Sequence, residues 1–302
     1  MIDQAAKLRK LINDKKTASG QTVLQNEQIV EDARVICVTS GKGGVGKTNF
    51  TINLAIELSR LNNRVVIMDA DLGLANVDVA LGIIPEHTLL DVIHGEKSIG
   101  EVMSPGPDNI KVISGGSGIT ELVDMSFSSI QQLTEKLLLI NNYADIILID
   151  TGAGLSSAVL SFVLAAQEVI VVTTSEPTSI TDAYAMIKTI NSRKKNKEIG
   201  IVINRVKNIT EGDIAFEKLK NAAKRFLSMD LYKLGYVFED NNVVKSVKKQ
   251  VPFIIGYPNS IATKNIKDIA MGLIDDKGVN MRSSRNHDSF FKRIFGFFRQ
   301  EA

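Results

Sequence analysis

Cysteine is almost absent from this chain. The one residue, Cys37, cannot close an internal disulfide, and a single thiol cannot supply the ligands of an iron–sulfur cluster. Its place in the apolar run "ARVICVTS" predicts a buried strand thiol. A charge of one sign is also missing. The 36 Lys and Arg against 34 Asp and Glu leave a formal +2, so a globally basic, nucleic-acid-binding protein is not expected. No apolar run approaches the ~20 residues of a membrane span. "MIDQAAKLRK" lacks the apolar core of a signal peptide, and the expectation is a cytoplasmic location. There is no internal repeat. What is present is 302 residues with 44% hydrophobic content, enough to bury the core of one large α/β domain with tails.

Residues 1–12, "MIDQAAKLRKLI", place Ile2, Ala5, Leu8 and Ile12 near helical spacing, a short helix with one apolar face. Residues 13–32 are polar and aperiodic, a linker. From 33 to 274 short apolar runs alternate with helical patterns. The runs are "RVICVTS", "RVVIMDAD", "IKVISGG", "DIILIDTG", "EVIVVTTSE", "IGIVINRV" and "LYKLGYVF". Rich in Val and Ile and without strict alternation, they predict parallel strands buried on both faces. Segments such as "KTNFTINLAIELSRL" and "SSIQQLTEKLLLINNY" predict the intervening helices. The fold expected is α/β, a doubly wound, mostly parallel sheet with helices on both faces. Residues 275–288 form a second polar linker, and 289–302 a final amphipathic segment.

The chemistry starts at "TSGKGGVGKTNF", residues 39–50. Gly41 through Thr48 fit the phosphate-loop pattern G-x-x-x-x-G-K-[ST], following a strand and opening a helix. Gly43, Gly44 and Gly46 leave backbone N–H groups free to close on phosphate oxygens. Val45 and Asn49 belong to the same cradle, Lys47 meets the β/γ-phosphates, and the Thr48 hydroxyl holds Mg²⁺. Two further strand ends carry carboxylates: Asp69 and Asp71 in "VVIMDADLGLANVD", and Asp150 in "DIILIDTGAG". Carboxylates at such ends can hold Mg²⁺ or orient the attacking water. Lys42 has no task in this minimal scheme.

"KGGVGKT", with a lysine at the front of the loop, resembles the deviant Walker A motif of the MinD/ParA family of dimerising P-loop ATPases. "DADLGLANVD" is similar to that family's switch I, and "LIDTGAG" to its Walker B and switch II. The resemblance spans about Arg34 to Ile274. It implies ATP and Mg²⁺ as ligands and a homodimer when ATP is bound, with Lys42 reaching across to the partner's nucleotide. By the same resemblance Asp71 positions or activates water and Asp150 supports Mg²⁺, with Thr48 and Asp71 also at the metal. Asn204, in "VINRV", matches the asparagine that reads the adenine edge, and Arg205 follows it at the nucleotide. The family usually places a proline near the base where "GYVFEDNNVV" has Phe238.

The tails narrow the resemblance. "DQAAKLR", Asp3 through Arg9, is similar to the N-terminal motif of the FlhG (YlxH, FleN) family of flagellar-number regulators. There a short helix stimulates the GTPase of FlhF, which implies roles for Asp3, Gln4, Leu8 and Arg9, and contacts with flagellar C-ring proteins are implied as well. In "SFFKRIFGFFRQ", Phe290, Phe291, Ile294, Phe295 and Phe298 share one helical face, opposite Lys292, Arg293 and Arg299. Such a helix suits the interface of an anionic membrane, peripheral on its inner face; docking on the protein's own body is the alternative. A division-site MinD shares the core and the membrane helix, and a DNA-partitioning ParA-type protein shares the core.

Overall fold

The computed structural model describes residues 33–71, 76–115, 134–195 and 197–275, with Phe290, Arg293, Ile294 and Gly296. The chain divides into two units, Met1–Glu31 and Asp32–Ala302. The first lies outside the described residues, and so do the expected roles of Asp3, Gln4, Leu8 and Arg9.

Along the second unit come β1 (Arg34–Ser40), α1 (Lys47–Arg60), β2 (Val65–Ala70), α2 (Asn76–Leu81), α3 (Leu89–Ile93), β3 (Met103–Pro105) and β4 (Lys111–Ser114). Then follow β5 (Ile146–Ala153), α4 (Ser157–Ala165), β6 (Glu168–Thr174), α5 (Pro177–Arg193), β7 (Ile199–Val206) and α6 (Ile209–Leu227). The described core ends with β8 (Tyr232–Phe238), α7 (Asn241–Lys249), α8 (Phe253–Gly256) and α9 (Ile261–Ile274).

The strands make one 8-stranded sheet in the order β3-β4-β2-β5-β1-β6-β7-β8. All seven expected runs are strands, paired in parallel. The additional one, β3, is a short antiparallel edge strand on β4. Its proline sits where an edge tolerates the missing N–H.

Alternate residues of each strand feed two core layers. Val35 and Cys37 join the layer under α4, α5 and α6, and Ile36 and Val38 join the layer under α1, α8 and α9. Burial on both faces explains why the strand sequences show no polar alternation. It also pushes the Cys37 thiol up to about 12, as the buried-thiol expectation requires. From β1 the chain passes to β2 and on to β3 and β4, returns to insert β5 between β2 and β1, and then winds outward the other way through β6, β7 and β8. The crevice at the carboxyl end of β1 is where such sheets take ligands.

The C-terminal segment departs from the membrane expectation in one respect. Phe290 and Ile294, at 4% and 3% exposure, are part of the α4–α6 core layer. These two side chains are covered by the protein's own body, at about 1.5–3 kcal/mol for each large side chain. Phe291, Phe295 and Phe298 lie outside the described residues. Beside the docked pair, Lys194 Nζ donates to the Leu164 carbonyl at 3.3 Å and Lys197 Nζ donates to that of Ala166. Burial, with Lys194 and Arg293 adding repulsion, pushes Lys197 down to about 7. No helix among the described residues is long and apolar enough to cross a membrane.

Candidate nucleotide site

β1 stops at Ser40 and α1 starts at Lys47, so the predicted cradle fills the gap between them. Gly44 (φ 77) and Gly46 (φ 91) are left-handed, a backbone open to glycine at no steric cost. Gly46 precedes α1 without any side-chain cap, leaving the first N–H groups of the helix to an anion. Gly41 packs so closely on α5 that a Cβ there would overlap the Asp182 carbonyl.

Asp150, fully buried in the carboxyl-terminal half of β5, is the hub of the loop. Its Oδ1 accepts from Lys47 Nζ at 3.0 Å and from Thr51 Oγ1 at 2.9 Å, and its Oδ2 from Thr48 Oγ1 at 2.6 Å. Lys47, Thr48 and Asp150 are thus brought together as predicted. Thr51 was not read from the sequence; it falls one helical turn after Lys47, a spacing that could have flagged it. The Thr48 hydroxyl beside the Asp150 carboxylate is a pair of hard oxygen donors, and it fits Mg²⁺.

On the neighbouring strand Asp69 stands in register with Asp150. Its Oδ1 accepts from the Asp71 N–H and its Oδ2 from the Val77 N–H, both at 3.1 Å. Burial, with Asp150 and Asp78 nearby, pushes its carboxyl up to about 7 against those two bonds. Asp71 is half-buried. Asn76 Nδ2 donates to its Oδ2 at 3.0 Å, and its Oδ1 faces Gly152, where a Cβ would come within 3.3 Å. The predicted water-handling carboxylate therefore lies against the last residues of β5, just after Asp150.

Lys42 is not gathered with these groups. Its Nζ donates to Thr178 Oγ1 at 3.0 Å and lies 3.5 Å from Glu176 Oε2, at the start of α5. Asn204 Nδ2 donates to the Val45 carbonyl at 2.8 Å, and Asn204 Oδ1 accepts from the Arg205 N–H. Beside it opens a mostly apolar cavity of ≈ 480 Å³, lined by Gly46, Asn49, Asn204, Arg205, Phe238 and Val244 among others. Its size and lining suit a planar base. Phe238, standing where the family places proline, belongs to that wall.

The family model described as "ParA: NUBPL iron-transfer P-loop NTPase" matches residues 31–274. The chain belongs to the ParA family of P-loop NTPases. Iron transfer is a property of the protein named in that description; this ParA-family chain has one cysteine, buried on β1. It is 40% identical over 258 residues to the antiactivator FleN of Pseudomonas aeruginosa, covering 85% of this chain and 91% of FleN. It is 33% identical over 302 residues to the flagellum site-determining protein YlxH of Helicobacter pylori, covering 98% and 99% of the two chains. Among solved structures it resembles the MinD of the Aquifex aeolicus MinC:MinD complex, with TM-score 0.64, 26% identity, and 80% and 95% coverage. The ParA-family chain is a MinD-like ATPase with the FleN/YlxH proteins as relatives. Nucleotide and Mg²⁺ binding follow from the family and from the Lys47–Thr48–Asp150 geometry.

Proposed function

We propose that this ATPase is a dimerising switch that regulates flagellar number and placement. The observation that carries the reading is the 40% identity to FleN across 85% of the chain, over a complete phosphate loop. The YlxH likeness extends over 98% of the chain, which supports a role for the tails as well as the core. ATP draws two subunits together, and residues 1–12 stimulate the GTPase of FlhF, with Gln4 directed at the GTP site. An amide that both donates and accepts can orient water there. Flagellar C-ring proteins are further partners. The test is the GTPase rate of FlhF with the wild-type protein and with Gln4→Ala. Wild type is expected to stimulate and Gln4→Ala to lose most of the stimulation while still binding FlhF, because only a transition-state contact is removed. Equal stimulation by both would end the Gln4 assignment. Absence of FlhF binding would favour the division-site reading, for which the 26% identity to MinD of Aquifex aeolicus speaks.

The C-terminal segment completes the switch. Docked through Phe290 and Ile294, it is withheld in the monomer; released in the ATP dimer, two copies bind an anionic inner membrane face through effective concentration. Liposome sedimentation is expected to pellet the protein with ATP, little of it with ADP, and none after deletion of residues 289–302. Equal pelleting with both nucleotides would refute the coupling.

A further inference from the structure

We propose that Asp69 is the positioning residue for Asp71, holding in place both ends of the segment that carries the catalytic carboxylate. The proposal rests on the assignment of Asp71 to hydrolysis.

Asp69 is 1% exposed, and both of its carboxylate oxygens are taken up by backbone N–H groups. Each of its two oxygens takes one backbone N–H, from Asp71 on one side of residues 72–75 and from Val77 on the other, both at 3.1 Å. One carboxylate therefore spans the segment. The ring closes through the side chain of Asn76, adjacent to Val77, which donates to Asp71 Oδ2 at 3.0 Å. Fixing the Asp71 amide and its carboxylate from the same two anchors leaves the side chain little freedom against Gly152. Such freedom matters, since displacing a reacting group by 1 Å can cost on the order of 10²-fold in rate. Asp69 is itself held by β2, in register with Asp150 on β5. The clamp therefore refers the position of Asp71 to the strand that carries the phosphate-loop hub.

A capping role alone would account for the Val77 bond. An Asx turn would account for the Asp71 bond, but neither motif accounts for Asn76 closing the circuit onto Asp71 Oδ2.

Asparagine at position 69 keeps the shape but offers one acceptor and one donor, so one anchor must face an N–H with an NH₂ and break. In the nucleotide-free protein, Asp69→Asn is expected to speed hydrogen exchange at the Asp71 or Val77 amide, with Ile67 in the middle of β2 unchanged. ATP binding measured directly should stay within about twofold, whereas kcat should fall by at least about tenfold. Asn76→Ala, which removes only the side-chain link, should lower kcat without changing exchange at Val77, and it serves as the test if Asp69→Asn does not fold. Faster exchange with wild-type kcat in Asp69→Asn, or wild-type kcat in Asn76→Ala, overturns the proposal. Wild-type turnover in Asp71→Ala would instead show that the assignment beneath it is wrong.

Discussion

Lys42→Ala is expected to bind ATP normally and to hydrolyse it about 10³-fold more slowly, the lower range of effects seen when a cation supplied in trans is removed. Binding survives because Lys47, held 3.0 Å from Asp150, is the lysine that meets phosphate within the same subunit. Folding survives because the contacts of Lys42 are at the surface. Its side chain is 41% exposed and that of Glu176 64%, and a pair so exposed adds little stability. What is lost is positive charge on the partner's transferring phosphate, worth about 4 kcal/mol at tenfold per 1.36 kcal/mol. Mixing decides the geometry. Combined with Asp71→Ala, a Lys42→Ala subunit keeps its own Asp71 and can receive Lys42 from its partner, so the mixture should regain a minor but clear fraction of wild-type turnover, one competent site per mixed dimer, where neither variant is active alone. If the mixture is no more active than its parts, Lys42 acts within its own subunit. The contact with Thr178 and Glu176 adds a requirement: the side chain must leave the start of α5 before it can reach a partner.

Asp71→Ala is expected to lower turnover by about 10²–10⁴-fold, the usual worth of a positioned proton acceptor. Its binding groups are untouched, since Lys47, Thr48 and Thr51 all converge on Asp150 and none on Asp71. ATP should then accumulate on the protein unhydrolysed, and sizing chromatography with ATP and Mg²⁺ should show the dimer persisting longer than in wild type. A monomeric Asp71→Ala saturated with ATP would remove Asp71 from the hydrolytic step.

These expectations draw on residues that differ in how far the sequence reveals them. Lys47, Thr48 and Asp150 were legible because each stands at a fixed offset from a strand end, and a Val/Ile run marks a strand whatever surrounds it. Such runs also sufficed for the seven parallel strands. β3 escaped because three residues with a proline carry no periodicity. Thr51 and Glu176 escaped for a different reason, and Asp69 was read as a carboxylate for Mg²⁺ or water rather than as a backbone anchor. Their roles are pairings with Asp150, Lys42 and the Val77 amide, and the partners of Thr51 and Glu176 lie 99 and 134 residues away in sequence. Local pattern holds no record of those meetings. The C-terminal face was visible as apolar, but Phe290 and Ile294 fit a bilayer and a protein core by the same arrangement. Only the packed chain shows which one receives them here.

The bonds around Asp150 bear on the charge of the phosphate lysine. Its carboxylate takes bonds from Lys47, Thr48 and Thr51 together and so gives the loop an internal counter-charge. Lys47, 8% exposed, is thereby spared the cost of a bare buried cation, which loss of the partner carboxylate would impose.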